Sequence, residues 1–291
     1  MDSYLTQFLD NLKAEKADNT LAAYRNDLTQ FADFIRSRSL DPIEPAGITP
    51  ELMQAFLSDL QDGAQAYAPS TVARKVAAVK SFFHFLVQQN LVPTDPSAHI
   101  ASPKVKKQAP RILSRSEIEQ LLAASAKTGG SRGQRDSALL TFLYATGLRV
   151  TEVVNVKLDD VDWEAGSVAC ASQAGRPRSV PLGAAHHLVA DYLKNARPAL
   201  ARDTSPPMLF LNHRGQKLTR QGVWLIIKET AKLADLGELV TPHTLRHSFA
   251  RHLLTSGESV RRVQELLGHA NLSTTQIYRA VPTEPKTETL P

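Results

Sequence analysis

The stretch TPHTLRHSFARHL, residues 241–253, decides how the C-terminal half of this chain is read. Thr241 is a good N-cap and Pro242 a good first helical residue, so the stretch reads as one helix with His243 in its first turn. At 3.6 residues per turn, His243, Arg246 and His247 share a face. Leu245, Phe249, His252 and Leu253 share another, which reads as the core side and makes His252 a packing or rim residue. So much cationic chemistry on one helix admits a metal site, a solvated basic face or an anion site. His243 and His247 stand four apart, as two zinc ligands on a helix can. Yet no Asp, Glu or Cys is near to complete a shell, and the neighbouring arginine repels a cation, so no metal is expected. The anion reading has a positive warrant. Free N–H groups and the dipole at a helix N-terminus favour negative charge, and a guanidinium fork adds paired bonds to phosphate oxygens.

The rest of the composition bounds the answer. A length of 291 residues with 42% apolar content suits two ordinary domains. The formal net charge of +5 is uneven: residues 1–108 carry 11 basic and 12 acidic side chains, and residues 109–291 carry 23 and 17. A basic C-terminal part suggests a polyanionic partner. A single cysteine, Cys170, excludes an intrachain disulfide framework and a cysteine zinc site. The N-terminus lacks the apolar core of a secretory signal, and no run of 18 apolar residues exists. The expectation is a cytoplasmic protein with no membrane partner.

Outward from the opening helix, the first hundred residues read as helices. Leu21, Tyr24, Leu28, Phe31, Phe34 and Ile35 recur at steps of three and four. Thr49 and Pro50 open another helix that ends near Gly63. Residues 69–90 carry Val72, Val76, Val79, Phe82, Phe83 and Leu86 on one side, with Arg74, Lys75 and Lys80 largely off that stripe. With a first helix near 3–15, this predicts a small four-helix domain over 1–103. Residues 104–111 then lose periodicity among prolines and hold Lys104, Lys106, Lys107 and Arg111. Composition leaves these charges open between solubility and a strap along a phosphate backbone. A second domain is expected over 112–281, opening at the capping box of Ser114 and Glu117. It continues as a buried helix broken at Gly147, then a β-hairpin with strands near 168–171 and 179–182. Helices return from about 184, and residues 282–291 read as a disordered tail.

Downstream, Gly268 suits a helix C-cap that turns His269 out of line. Ser273 with Gln276 fits a further capping box, and Tyr278 follows. A tyrosine hydroxyl can attack a phosphodiester if arginines neutralise the phosphate and hold it in line.

With ATGLRVTE around Arg149, HTLRH with His243 and Arg246, LLGH ending at His269, and Tyr278, the chain resembles the tyrosine site-specific recombinases of the phage integrase family, in its Xer-like branch. The basic-and-apolar pattern of residues 69–90 resembles the family's core-binding domain. The resemblance implies a mainly α fold with a small antiparallel sheet: a helical core-binding domain and a catalytic domain forming a two-domain clamp on double-stranded DNA. It implies that Tyr278 attacks the scissile phosphate and leaves a 3′-phosphotyrosyl link and a free 5′-hydroxyl. Arg149 and Arg246 would bind the non-bridging oxygens, with His243 and His269 assisting by hydrogen bonding and proton transfer. Bond energy stays in the phosphotyrosine, so neither ATP, metal nor other cofactor is expected. The implied partners are a homo- or hetero-tetramer on DNA, with a second related recombinase or a DNA translocase as further candidates and chromosome dimer resolution as one setting. Arg74, Lys75, Lys80, Lys104, Lys106, Lys107, Arg111, Arg176 and Arg178 are the expected DNA contacts. His247 and Arg251 are left as supporting or DNA-facing.

Two departures stand out. The family places a catalytic lysine in the hairpin turn, in a pattern that matching backward from RSVPLG puts at Gln173. No lysine lies between Lys157 and Lys194. Glutamine donates a hydrogen bond but releases no proton at useful pH, and loss of a general acid typically costs about 10²–10⁴ in rate. The alternative reading is therefore a catalytically weakened DNA-binding relative. The second departure is the proline-rich end, a poor match to the C-terminal helix with which the family couples neighbouring subunits.

Overall fold

A computed structural model describes residues 1–13, 18–38, 44–63, 66–103, 110–171 and 177–280. The chain divides into two compact units, Met1–Gln108 and Ala109–Pro291. Residues 104–109, which hold Lys104, Lys106 and Lys107, lie outside the described residues, as do Gln173, Arg176 and the tail. Among the described residues no helix is long and apolar enough to cross a membrane.

The described residues of the first unit form four α-helices: α1 (Asp2–Leu12), α2 (Asp18–Arg38), α3 (Pro50–Asp62) and α4 (Pro69–Gln88). Local chemistry sets the ends of α3. The Thr49 hydroxyl accepts from Leu52 N, Pro50 occupies the first turn, and Gly63 closes the helix. The core is aromatic. Phe31 meets Phe56 edge-to-face at 5.0 Å between centroids, and Phe8 meets Phe82 likewise at 5.6 Å. Edge-to-face packing places ring hydrogens on a negative π-face, adding to the area these rings bury.

The second unit opens with α5 (Arg115–Ala126), whose capping box pairs Ser114 and Glu117 reciprocally. Helix α6 (Gly130–Thr146) forms the spine of the core, with Leu139, Leu140, Phe142 and Leu143 all buried. Consecutive buried residues mean that both faces of α6 are covered, as a central helix requires. It stops at Gly147, which has φ of 59° and donates its N–H to Leu143 O. The short α7 (Val150–Val153) follows.

A three-stranded antiparallel sheet of order β1-β2-β3 comes next: β1 (Val161–Asp162), β2 (Ser167–Ala171) and β3 (Pro177–Pro181). Strand β3 begins two residues before the expected 179, and the two-residue β1 has no periodicity by which a sequence could announce it. The register pairs Cys170 with Arg178.

Helix α8 (Ala185–Asp191) runs through a π-helical turn over Tyr192–Ala196 into α9 (Arg197–Leu200). Then come α10 (Arg220–Leu233), α11 (Pro242–Thr255), α12 (Val260–Leu267) and α13 (Leu272–Ala280). Because α13 starts at Leu272, Ser273 lies inside its first turn rather than at the expected cap.

Candidate active site

Helix α11 begins as its sequence directs. Thr241 Oγ1 accepts from Thr244 N at 3.2 Å, and Thr244 Oγ1 accepts from Thr241 N at 3.1 Å. Two orphan N–H groups are thereby satisfied reciprocally, with threonine in the place usual for Glu. His252 packs inward, its Nδ1 2.8 Å from the Tyr144 hydroxyl. Arg246 also points inward and is only 4% exposed.

Arg246 reaches a corner made by α12 and the turn after it. Gly268 has φ of 65° and closes α12 in a Schellman arrangement, with His269 N donating to Gln264 O and Gly268 N to Glu265 O. The last carbonyls of α12 face the arginines. Arg246 Nη2 donates to Leu267 O at 2.7 Å, and Arg246 Nη1 to Gly147 O at 2.7 Å. Arg149 donates to Leu267 O at 3.4 Å and to Gly268 O at 3.3 Å. Arg178 Nε donates to Leu266 O at 2.9 Å. The helix C-terminus is the negative end of the dipole, so it attracts these cations.

One carboxylate ties the arginines together, and sequence reasoning had not singled it out. Glu152 Oε2 accepts from Arg149 N at 2.7 Å and from Arg178 Nη2 at 3.0 Å. Its Oε1 lies 3.4 Å from Arg149 Nη1, and its Oε2 lies 3.9 Å from Arg246 Nη1. The only available signal was its place three residues after Arg149, one helical turn on. Three guanidinium groups against one carboxylate leave a local surplus of positive charge. Burial, then the field of Arg149, lowers the Arg246 pKa to about 10, which still leaves it charged at neutral pH.

Tyr278 lies beside this cluster, 2% exposed. Its hydroxyl is 2.8 Å from His247 Nδ1. Its ring packs against the His247 ring at 5.3 Å and the His269 ring at 6.4 Å. Burial raises the phenol pKa while Arg246 and Arg149 pull it down. The hydroxyl is thus neutral at ordinary pH and must lose its proton as it reacts. Burial, reinforced by neighbouring cationic groups, lowers both His247 and His269 to about 4. His269 Nδ1 lies 2.9 Å from Thr275 Oγ1, which leaves Nε2 for a ligand. His243 is exposed and stacks on His247 at 6.0 Å.

The expected DNA contacts are sorted by their partners. Lys75 is 4% exposed, with Nζ 3.0 Å from Asp27 Oδ1 and 2.5 Å from Gln30 Oε1. Arg74 remains exposed but pairs with the same Asp27. Lys80 is half-buried. Arg111 donates to Leu236 O at 2.9 Å and lies 3.6 Å from Glu117. Arg178 is half-buried in the arginine cluster, paired with Glu152 and the end of α12. Lys75, Arg111 and Arg178 each have an acceptor distant in sequence: Asp27, Leu236 O and Leu266 O.

Among the described residues no three His, Cys, Asp or Glu side chains gather as a metal site would require. The geometry can bind a phosphodiester at an arginine corner and present a tyrosine hydroxyl to it. That capacity, on this helical scaffold, defines a class of phosphoryl-transfer protein. Residues 111–284 match the phage integrase family and residues 5–90 match its N-terminal SAM-like domain. A tyrosine recombinase XerC from Herpetosiphon aurantiacus is 44% identical over 284 residues, covering 97% of this chain and 91% of that one. A tyrosine recombinase XerD from Listeria innocua is 41% identical over 286 residues, covering 97% and 95%. Among solved structures, the XerH site-specific recombinase bound to palindromic difH substrate aligns with a TM-score of 0.73 at 24% identity, covering 89% and 75%, a likeness of fold. The chain belongs to the phage integrase family, the tyrosine recombinases.

Proposed function

We propose that this chain is a site-specific DNA recombinase that cuts a strand with Tyr278, holds it as a 3′-phosphotyrosyl link, and rejoins it to another strand. The observation that carries the reading is the convergence of Arg149 and Arg246 on the α12 corner, beside a buried tyrosine. Their guanidinium groups would take the non-bridging oxygens, and charge developing on those oxygens would meet donors already in place. His269, held by Thr275, would add a donor from Nε2. His243, exposed at the start of α11, would assist at the rim. Arg178 would act by holding the corner together. The 5′-oxygen leaving group would take its proton from water or a nearby arginine, since Gln173 supplies none. The weakened-binder alternative draws no support from the relatives.

The partners follow from the same reading: duplex DNA gripped by both units, and a tetramer in which strands exchange. A second recombinase and a DNA translocase are the finer candidates, with chromosome dimer resolution in the cytoplasm as the setting.

Nicked duplexes carrying chromosomal segments that flank the gene test this. Wild type is expected to form a covalent adduct on one of them, and Tyr278→Phe to form none while still retaining the DNA. Adduct with Tyr278→Phe would reassign the nucleophile. Adduct with Gln173→Lys alone would make the natural chain a binder.

A further inference from the structure

Helix α11 holds the tyrosine twice, from one stripe. His243, His247 and Arg251 recur at intervals of four and so lie along one side of the helix. Arg251 Nη1 donates to the backbone of the tyrosine helix, to Tyr278 O at 3.0 Å and Arg279 O at 3.2 Å. One turn earlier, His247 Nδ1 meets the Tyr278 hydroxyl at 2.8 Å, with the two rings packed at 5.3 Å. One contact fixes where the peptide of residue 278 sits, and the other fixes where its hydroxyl points. The α11 stripe is therefore a clasp on both ends of the nucleophile, within a single chain. Nothing in the proposed phosphate chemistry requires His247. Among the described residues its side-chain hydrogen bond goes to the Tyr278 hydroxyl.

We propose that His247 is a positioning residue of the cleavage reaction: its Nδ1 accepts the Tyr278 hydroxyl hydrogen bond and, with Arg251 holding the peptide, aims the hydroxyl oxygen. This rests on the recombinase reading above. A neutral imidazole protonated on Nε2 meets the requirement, because Nδ1 is then an acceptor. The depressed His247 pKa is consistent with that state. A side chain that only filled space would be replaceable by any ring of similar size. One that aims the hydroxyl is replaceable only by another acceptor at the Nδ1 position, which the amide of asparagine supplies.

The test uses the full chain and the nicked duplex that gives the most wild-type adduct. His247→Phe keeps the bulk and removes the acceptor. It is expected to slow adduct formation at saturating DNA by about ten- to a hundredfold, the scale set by a misplacement of about 1 Å, with DNA affinity unchanged. His247→Asn is expected to recover most of that rate. His247→Phe reacting at the wild-type rate, or His247→Asn as slow as His247→Phe, overturns the proposal. A second measurement needs neither DNA nor a folded His247 variant. In protein labelled with nitrogen-15 histidine, Tyr278→Phe is expected to displace the His247 Nδ1 resonance, and an unmoved resonance overturns the proposal. If wild type gives no adduct on any duplex, the recombinase reading fails, and the resonance alone decides whether the contact exists.

Discussion

Asp27 and Glu152 do similar work in the two units and end with different results. Asp27, 1% exposed, takes the Lys75 ammonium and the Arg74 guanidinium. Lys75 also lies over the Tyr67 ring at 5.0 Å, so its charge is absorbed into packing. Glu152, 12% exposed, faces three guanidinium groups, which also donate to the carbonyls of Gly147, Leu266, Leu267 and Gly268, while Arg178 Nη1 is buried without a partner among the described residues. A carbonyl satisfies a donor without cancelling a charge. The second unit can thus bury Arg246 with hydrogen bonds made from both terminal nitrogens and still keep positive charge for a phosphate. Satisfying donors and neutralising charge are separate tasks, and the two units solve them differently.

The largest expected effect breaks the first arrangement. Asp27→Ala leaves Lys75 buried and unpaired, and should destabilise the first unit by about 3–5 kcal/mol, read from urea unfolding. Lys75→Met in the same background should recover much of the loss, because it removes the stranded charge. Glu152→Gln tests the second arrangement. It keeps a hydrogen-bonding group and removes the charge that gathers the arginines, so adduct formation should slow by about 10- to 100-fold, equivalent to the 1.5–3 kcal/mol typical of hydrogen bonds to charged groups. An unchanged rate would show that the helix-end carbonyls suffice. A further effect is one of pH. His247 and His269 have folded pKa values of about 4 against an ordinary 6.5. The unfolded chain binds these protons more readily, so stability should fall as pH drops from about 6.5 to about 4 and be flat just above. Thermal melts across that window, with and without His247→Asn, measure the share of one imidazole.

What the sequence made legible was local. Thr241 with Pro242, Ser114 with Glu117, and the left-handed glycines at 147 and 268 announce helix ends because their partners lie within a turn. Gly147 even has a second reason: a Cβ there would meet the Phe249 ring at 2.2 Å. The spacing of Arg149, His243, Arg246, His269 and Tyr278 was legible as a pattern. Their grouping in space was not, because it depends on where α12 ends. The partners of Lys75 and Arg178 were not legible for a related reason: their acceptors, Asp27 and Leu266 O, lie 48 and 88 residues away. Periodicity records which side of a helix is apolar; it does not record which carboxylate has sunk beneath it. His247 belongs to the same class, since only the arrival of α13 turns a polar neighbour of Arg246 into the partner of a hydroxyl.

The burial of Tyr278 has a consequence for life on a chromosome. A protein that searches DNA brushes against an immense number of phosphodiesters that it must leave whole. A tyrosine 2% exposed, its hydroxyl already bonded to an imidazole, is shielded from a backbone that merely slides past. Harmless searching is thus secured by where the side chain rests, and genome integrity depends on how tightly one helix keeps hold of another.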